Sequence, residues 1–194
     1  MKKILFFAFT AFIALGVQAQ EFNKQLASAR TAYSSGKLDD SRFAMQQMLQ
    51  ELDILTGKEI LKILPQKMNE QAAVSAEDNV SGASNFLGIT IHREYGTDDK
   101  AVQLDIITHS PMIGSINAIL SLPFVAGSAD YKVIRLEGYK ALIQKNGTGA
   151  ETEYELQLPL NNSLITLKAP GASQDQIIKM AGTLPIAQIA KMVQ

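Results

Sequence analysis

Apolar and polar positions alternate most regularly between Phe86 and His109. Leu87, Ile89, Ile91 and Tyr95 alternate with Gly88, Thr90, His92 and Glu94. Beyond the turn Gly96–Lys100, Val102, Leu104 and Ile106 alternate with Gln103 and Asp105. A period of two over this length predicts two strands, each with one buried face. A slip of one residue would turn a strand over, so the two apolar rows share a face only in certain registers. Two registers with short loops qualify, one setting His92 opposite Asp105 and the other setting His92 opposite Gln103. In both, His92 and Glu94 lie on the more polar face. Arg93 breaks the apolar row and is expected near the sheet edge or with its charge snorkelling to water.

The second half of the chain predicts four more strands. Residues 131–136 and 139–144 flank Glu137-Gly138, a pair suited to a tight hairpin turn. That turn pairs Leu136 with Tyr139 and Ile134 with Ala141. It places Ile134, Leu136, Tyr139, Ala141 and Ile143 on one face. Tyr154, Leu156 and Leu158 alternate with Glu153, Glu155 and Gln157. Asn161-Asn162 tolerates positive φ and predicts a second tight turn, with Leu158 opposite Ile165 and Leu156 opposite Leu167.

Helical spacing governs the rest. Phe22, Leu26, Ala29 and Tyr33 predict one helix, stopped at Gly36. Met45, Met48, Leu49, Leu52 and Leu55 predict a second over 38–55, opened by Asp39, Asp40 and Ser41. Residues 57–64 read as a further short helix ended by Pro65. Ser110-Pro111 reads as an N-cap and first helical position. The helix they open has an apolar face of Ile113, Ile116, Ile119 and Leu120 and ends at Pro123. Ser173 to Gln176 has the form of a capping box and opens a helix closed by Gly182. Pro185 opens the last one. Residues 66–85 are polar and small with no clear period, which predicts a linker.

Runs of strands rather than strict strand–helix alternation indicate an α+β fold. The expected architecture is an N-terminal helical hairpin, then an antiparallel sheet of about six strands covered by helices. The expected divisions are a signal peptide at 1–19, the hairpin at 20–65, the linker at 66–85 and the sheet domain at 86–194.

The first nineteen residues change the picture of where the chain works. Lys2 and Lys3 precede the apolar run Ile4–Val17, and Val17-Gln18-Ala19 has small side chains where a signal peptidase inspects them. This is the pattern of a secretory signal peptide cleaved after Ala19. An apolar helix of fourteen residues reaches about 21 Å, short of the roughly 30 Å hydrocarbon core. The expectation is a bacterial periplasmic or secreted protein with no stable membrane insertion after cleavage.

The full chain of 194 residues has 46% hydrophobic residues and a formal net charge of −1. Removal of Lys2 and Lys3 leaves 16 basic against 19 acidic residues, a net charge of −3. No basic run marks a nucleic-acid surface. The chain has no cysteine, which excludes disulfides, thiol nucleophiles and cysteine-ligated metals. The seven methionines, one of them the initiator, are expected to fill the core.

Candidate chemistry is sparse. Only His92 and His109 titrate near neutral pH without perturbation. No G-x-S-x-G elbow accompanies them, and Ser110 beside His109 reads as a helix cap. His92 and Glu94, with Asp105 or His109, are the candidate ligand-binding residues. No catalytic residue, metal site or cofactor is assigned. Asn146-Gly147-Thr148-Gly149 lacks the lysine and the strand-to-helix context of a phosphate loop. Glu151, Glu153 and Glu155 read as a solvated strand face.

Ala32-Tyr33-Ser34-Ser35-Gly36-Lys37-Leu38-Asp39-Asp40 resembles the turn of a tetratricopeptide repeat. A single unit lacks the neighbours such repeats stack against, so a helical hairpin docked on the sheet is the preferred reading. His109-Ser110-Pro111-Met112, Leu136-Glu137-Gly138-Tyr139-Lys140-Ala141 and Leu164-Ile165-Thr166-Leu167 resemble parts of uncharacterised exported bacterial proteins. In these a helical N-terminus precedes a small α+β domain. The strand order is similar to that of PsbP-like domains. These resemblances imply a fold and no activity. The leading functional expectation is a non-catalytic protein-binding or scaffolding module that contacts another envelope protein through residues 20–64. The alternative is a carrier of a small apolar ligand or lipid under the helix that begins at Pro111; an enzyme using His92 and His109 ranks last.

Overall fold

The computed structural model describes residues 22–82, 88–122, 130–147 and 152–193. The expected signal peptide, the start of the first hairpin at Phe86 and Leu87, the helix stop at Pro123 and Glu151 lie outside these residues. Among them the fold is α+β, with five helices, a seven-stranded antiparallel sheet and a small two-stranded one.

Residues 22–53 belong to one compact unit and the chain from Ile54 onward to another. The first unit is a helical hairpin. Helix α1 (22–34) turns at Gly36, whose φ of +73° suits glycine. Helix α2 (Leu38–Ile63) follows. Ala29 and Ala44 are buried, and the Ser41 hydroxyl donates to the Ala29 carbonyl at 3.0 Å. Small side chains let the two helix backbones approach closely. Of the large apolar residues of the hairpin, Phe22, Leu26 and Met48 are half-buried, whereas Tyr33, Leu38, Phe43, Met45, Leu49 and Leu52 are exposed. The helical spacing of the sequence is real, but it does not mark a buried face here.

Helix α2 is also longer than expected. Residues 57–63 continue it instead of forming a separate helix. Gly57 is not a break; it is a packing residue. A Cβ there would lie 2.6 Å from Val80 Cγ1 and 2.9 Å from Ile89 Cδ1. The end of α2 therefore lies directly on the sheet, with Ile60 and Leu64 in its core.

The segment expected as a linker is structured. It carries β1 (Lys67–Met68) and β2 (Gln71–Ala72), which pair with each other, and β3 (Asn79–Gly82), an edge strand of the large sheet. Backbone pairing with β4 orders β3, although its only large apolar residue is Val80. This raises the sheet from about six strands to seven.

The remaining strands are β4 (Ile89–Tyr95), β5 (Val102–Thr108), β6 (Tyr131–Leu136), β7 (Tyr139–Asn146), β8 (Glu153–Leu160) and β9 (Ser163–Lys168). The spatial order is β3-β4-β5-β9-β8-β7-β6. Two meanders, β3–β5 and β6–β9, thus join along a single β5–β9 seam, with Asp105 opposite Thr166. Both tight turns set the predicted registers: Leu136 faces Tyr139, Ile134 faces Ala141, Leu158 faces Ile165 and Leu156 faces Leu167. Glu137 and Asn161 take positive φ in those turns.

One sheet face carries the main core. Ile91, Tyr95, Leu104, Ile106, Ile143, Leu156 and Ile165 meet helix α4 (Gln174–Ala181), helix α5 (Ile186–Met192) and the end of α2. The capping box of α4 forms as expected: Gln176 N–H donates to Ser173 Oγ at 3.3 Å and Ser173 N–H donates to Gln176 Oε1 at 2.7 Å. Helix α3 (Ile113–Ser121) lies on the other face, where Ile116 and Leu120 pack with Leu142 and Leu164. Ser110 is not its N-cap. Met112 holds that place without a side-chain bond, and Ser110 Oγ accepts from Met112 N–H at 3.3 Å in the preceding turn. Methionine use is split: Met68 and Met180 are buried, whereas Met45 and Met112 are exposed.

Candidate functional site

The face bearing α3 divides in two. Leu142 and Leu164 lie under the helix. The rest of the face, on β4, β5, β9 and β8, is polar, and strand register arranges its side chains in rungs. One rung runs Asn79, His92, Asp105, Thr166, Gln157 and Leu142 across neighbouring strands. The next runs Glu94, Gln103, Lys168, Glu155 and Gln144. Of the two registers open to the first hairpin, the structure has His92 opposite Asp105.

Three of the four candidate residues meet here. His92 Nδ1 lies 2.7 Å from Asp105 Oδ1 and its Nε2 lies 3.4 Å from Glu94 Oε1. Gln103 Nε2 donates to Glu94 Oε1 at 3.3 Å. The side chains of His92, Glu94 and Asp105 are each about a quarter exposed. Burial is the largest single influence on the imidazole and lowers its pKa. The hydrogen bonds and negative charges of Asp105 and then Glu94 outweigh it, so the value ends above 6.5. The arrangement holds a proton between two carboxylates.

His109, the fourth candidate, is not brought to the cluster. It sits in the turn after β5 with φ +54°, exposed, its backbone N–H donating to the Asn162 carbonyl at 2.6 Å. Four residues of strand separate it from Asp105, on the order of 13 Å.

Gln157 and Thr166 were not singled out in the sequence, yet both are buried beside Asp105's rung. Gln157 Nε2 donates to Glu155 Oε1 at 2.7 Å, so Glu155 is not simply a solvated carboxylate. The Asn161-Asn162 turn puts Gln157 opposite Thr166. What parity could not supply was the β5–β9 pairing that brings them beside Asp105.

Arg93 belongs to the opposite face and is a correction to the expectation of an edge or snorkelling residue. It is buried in the core row with Ile91 and Tyr95. Its Nε and Nη2 donate to the two carboxylate oxygens of Asp78 at 2.8 and 2.5 Å, and Nη1 reaches the Leu64 carbonyl at 3.5 Å. The fork of bonds from Asp78 holds the guanidinium pKa above its ordinary value. Burial pushes the neighbouring Tyr95 phenol up to about 12, against the opposing charge of Arg93. This pair staples the β2–β3 connection and the end of α2 to β4, which is a structural task.

Among the described residues no group of three or more His, Asp or Glu side chains is placed to hold a metal ion. Among them, too, no helix is long and apolar enough to cross a membrane. No family model matches the chain, and comparison with curated proteins and with solved structures returns no match.

Proposed function

We propose that this protein is an exported, non-catalytic binding module that docks another envelope protein through its helical hairpin. One observation carries the reading: six large apolar side chains of the hairpin are exposed. Tyr33 is 67% exposed, Leu38 64% and Leu49 61%, with Phe43, Met45 and Leu52 close behind. Exposed apolar side chains concentrated on one small unit mark an interaction surface. The His92 cluster supports the non-catalytic part, because each ring nitrogen already faces a carboxylate and neither is free to serve as a base. The apolar side of α3, where a carrier would hold its ligand, is occupied by Leu142 and Leu164.

Affinity capture with the mature chain and with a Leu49→Lys/Leu52→Lys variant tests this reading. The variant loses a protein that the unaltered chain retains and stays helical by circular dichroism. Undiminished recovery of every specific partner overturns it. Deleting residues up to 64 is the wrong comparison, since Ile60 and Leu64 belong to the core of the sheet unit.

A further inference from the structure

Three connections meet at one end of the sheet unit and line a cavity of about 220 Å³. The β1–β2 hairpin contributes Asn69 and Gln71, the β4–β5 turn contributes Lys100, and the link from β9 to α4 contributes Ala169 to Ala172. Val102 and Met180, both buried, supply apolar wall. A water takes roughly 30 Å³ in the liquid, so the space is that of about seven waters. It suits a small organic molecule and is too small for a lipid chain or a folded peptide segment.

The amide of Gln71 is held in place. Its Nε2 donates to the Lys100 carbonyl at 3.2 Å. Gly96 packs against it so closely that a Cβ there would lie 2.7 Å from Nε2 and 2.8 Å from Cδ. With the amide fixed in this sense, Gln71 Oε1 is buried and has no hydrogen-bond partner. A buried acceptor in that state is costly, and a ligand O–H or N–H relieves the cost. The polar groups opposite are donors. Gln176 spends its Oε1 on Ser173 N–H at 2.7 Å, which leaves its Nε2 to donate. Lys100 adds a positive charge, and none of the described lining residues is acidic.

A matching ligand has an anionic acceptor for Lys100 and Gln176, a donor for Gln71 and a short apolar part for Val102 and Met180. The bond from Gln71 to the Lys100 carbonyl sets those two residues side by side, so donor and anion are neighbouring groups in the ligand. The donor is uncharged, because an ammonium would enter with no carboxylate in the lining to compensate it. We infer that this cavity binds a small 2-hydroxy carboxylate, its hydroxyl donating to Gln71 Oε1 and its carboxylate accepting from Lys100 and Gln176. The site lies within the sheet unit and is independent of docking by the hairpin.

Amide NMR of the mature chain, titrated separately with L-lactate, propionate and L-alanine, tests this assignment. Lactate should give saturable shifts at Gln71, Lys100 and Ala172. Propionate lacks the hydroxyl and L-alanine carries an ammonium in its place, so both should bind at least tenfold more weakly. Gln71→Leu keeps a side chain against Gly96 but removes the acceptor, and lactate should then bind no better than propionate. Lys100→Gln changes an exposed residue, so it tests the site even where Gln71→Leu fails to fold; it should weaken lactate at least tenfold. Shifts that stay linear with concentration for all three compounds overturn the inference. So does propionate or L-alanine binding as tightly as lactate, or a lactate affinity unchanged by Lys100→Gln.

Discussion

His92 and Asp105 face each other across adjacent strands, with Nδ1 and Oδ1 2.7 Å apart, while Glu94 approaches the other ring nitrogen. The folded-state pKa of His92 is raised above the ordinary 6.5. Its contribution to stability is therefore complete below about 6.5, the unfolded-state value, and is lost as pH rises through the folded value. NMR titration of His92 should give a midpoint above 6.5, and Asp105→Asn should lower it. The melting temperature of the unaltered chain minus that of His92→Gln should shrink as pH rises through that midpoint. A difference that is flat with pH would show that the cluster is not coupled to folding.

Arg93 and Asp78 form a buried, bidentate pair, and neither is tolerated alone. Arg93→Met should destabilise the fold by about 3 kcal/mol, because it leaves a largely buried carboxylate uncompensated. Asp78→Leu should cost a similar amount, on the order of 3 kcal/mol, for the stranded guanidinium. Arg93→Met with Asp78→Leu should recover most of the loss. Urea unfolding of the three variants measures this, and two additive single effects would contradict it.

Two helical glycines should respond oppositely to alanine. At Gly57 a Cβ would collide with Val80 and Ile89. Gly57→Ala should therefore destabilise by about 1 kcal/mol or more, despite the better helix propensity of alanine. At Gly114 nothing lies within 4 Å of the added Cβ. Gly114→Ala should stabilise by roughly 0.5 kcal/mol. Thermal melts of both variants check the pair, and a stabilising Gly57→Ala would refute the close approach of α2 to β3 and β4.

The capping box of α4 offers a smaller effect. Ser173→Ala removes the acceptor for Gln176 N–H and should cost about 1 kcal/mol. Ser173→Asp should restore most of it. Chemical denaturation resolves a change of this size.

Legibility in the sequence followed local geometry. Glu137-Gly138 and Asn161-Asn162 carry the φ preferences of their turns, so each set a register, and the apolar rows agreed with it. Ser173 to Gln176 was readable because a capping box is complete within four residues. Arg93 was misread because a charge in an apolar row looks like an edge. Its partner Asp78 lies fifteen residues away in a segment with no pattern. Strand β3 was missed for the same reason: Asn79–Gly82 is ordered by backbone pairing to β4 rather than by its own side chains. Residues 57–64 read as a separate helix because a glycine that permits close packing looks the same in sequence as one that interrupts a helix. Parity put His92, Glu94 and Asp105 on one face but left two registers open, of which the structure has the one that sets His92 opposite Asp105; Thr166 and Gln157 joined them only through the long-range β5–β9 pairing.

That pairing also dictates an order of events. A chain emerging from its N-terminus can zip β3, β4 and β5 at once, but β5 then waits as an open edge. Its neighbour β9 is the last strand made and arrives only after the whole second meander, with Asp105 and Thr166 joined across roughly sixty residues. Until then the N-terminal meander exposes both an apolar face and a row of unpaired backbone groups, the state from which strands aggregate. A chain truncated before Ser163 keeps that edge permanently. The segment from Ser163 onward, which carries none of the docking surface, thus acts as the closing piece of the sheet.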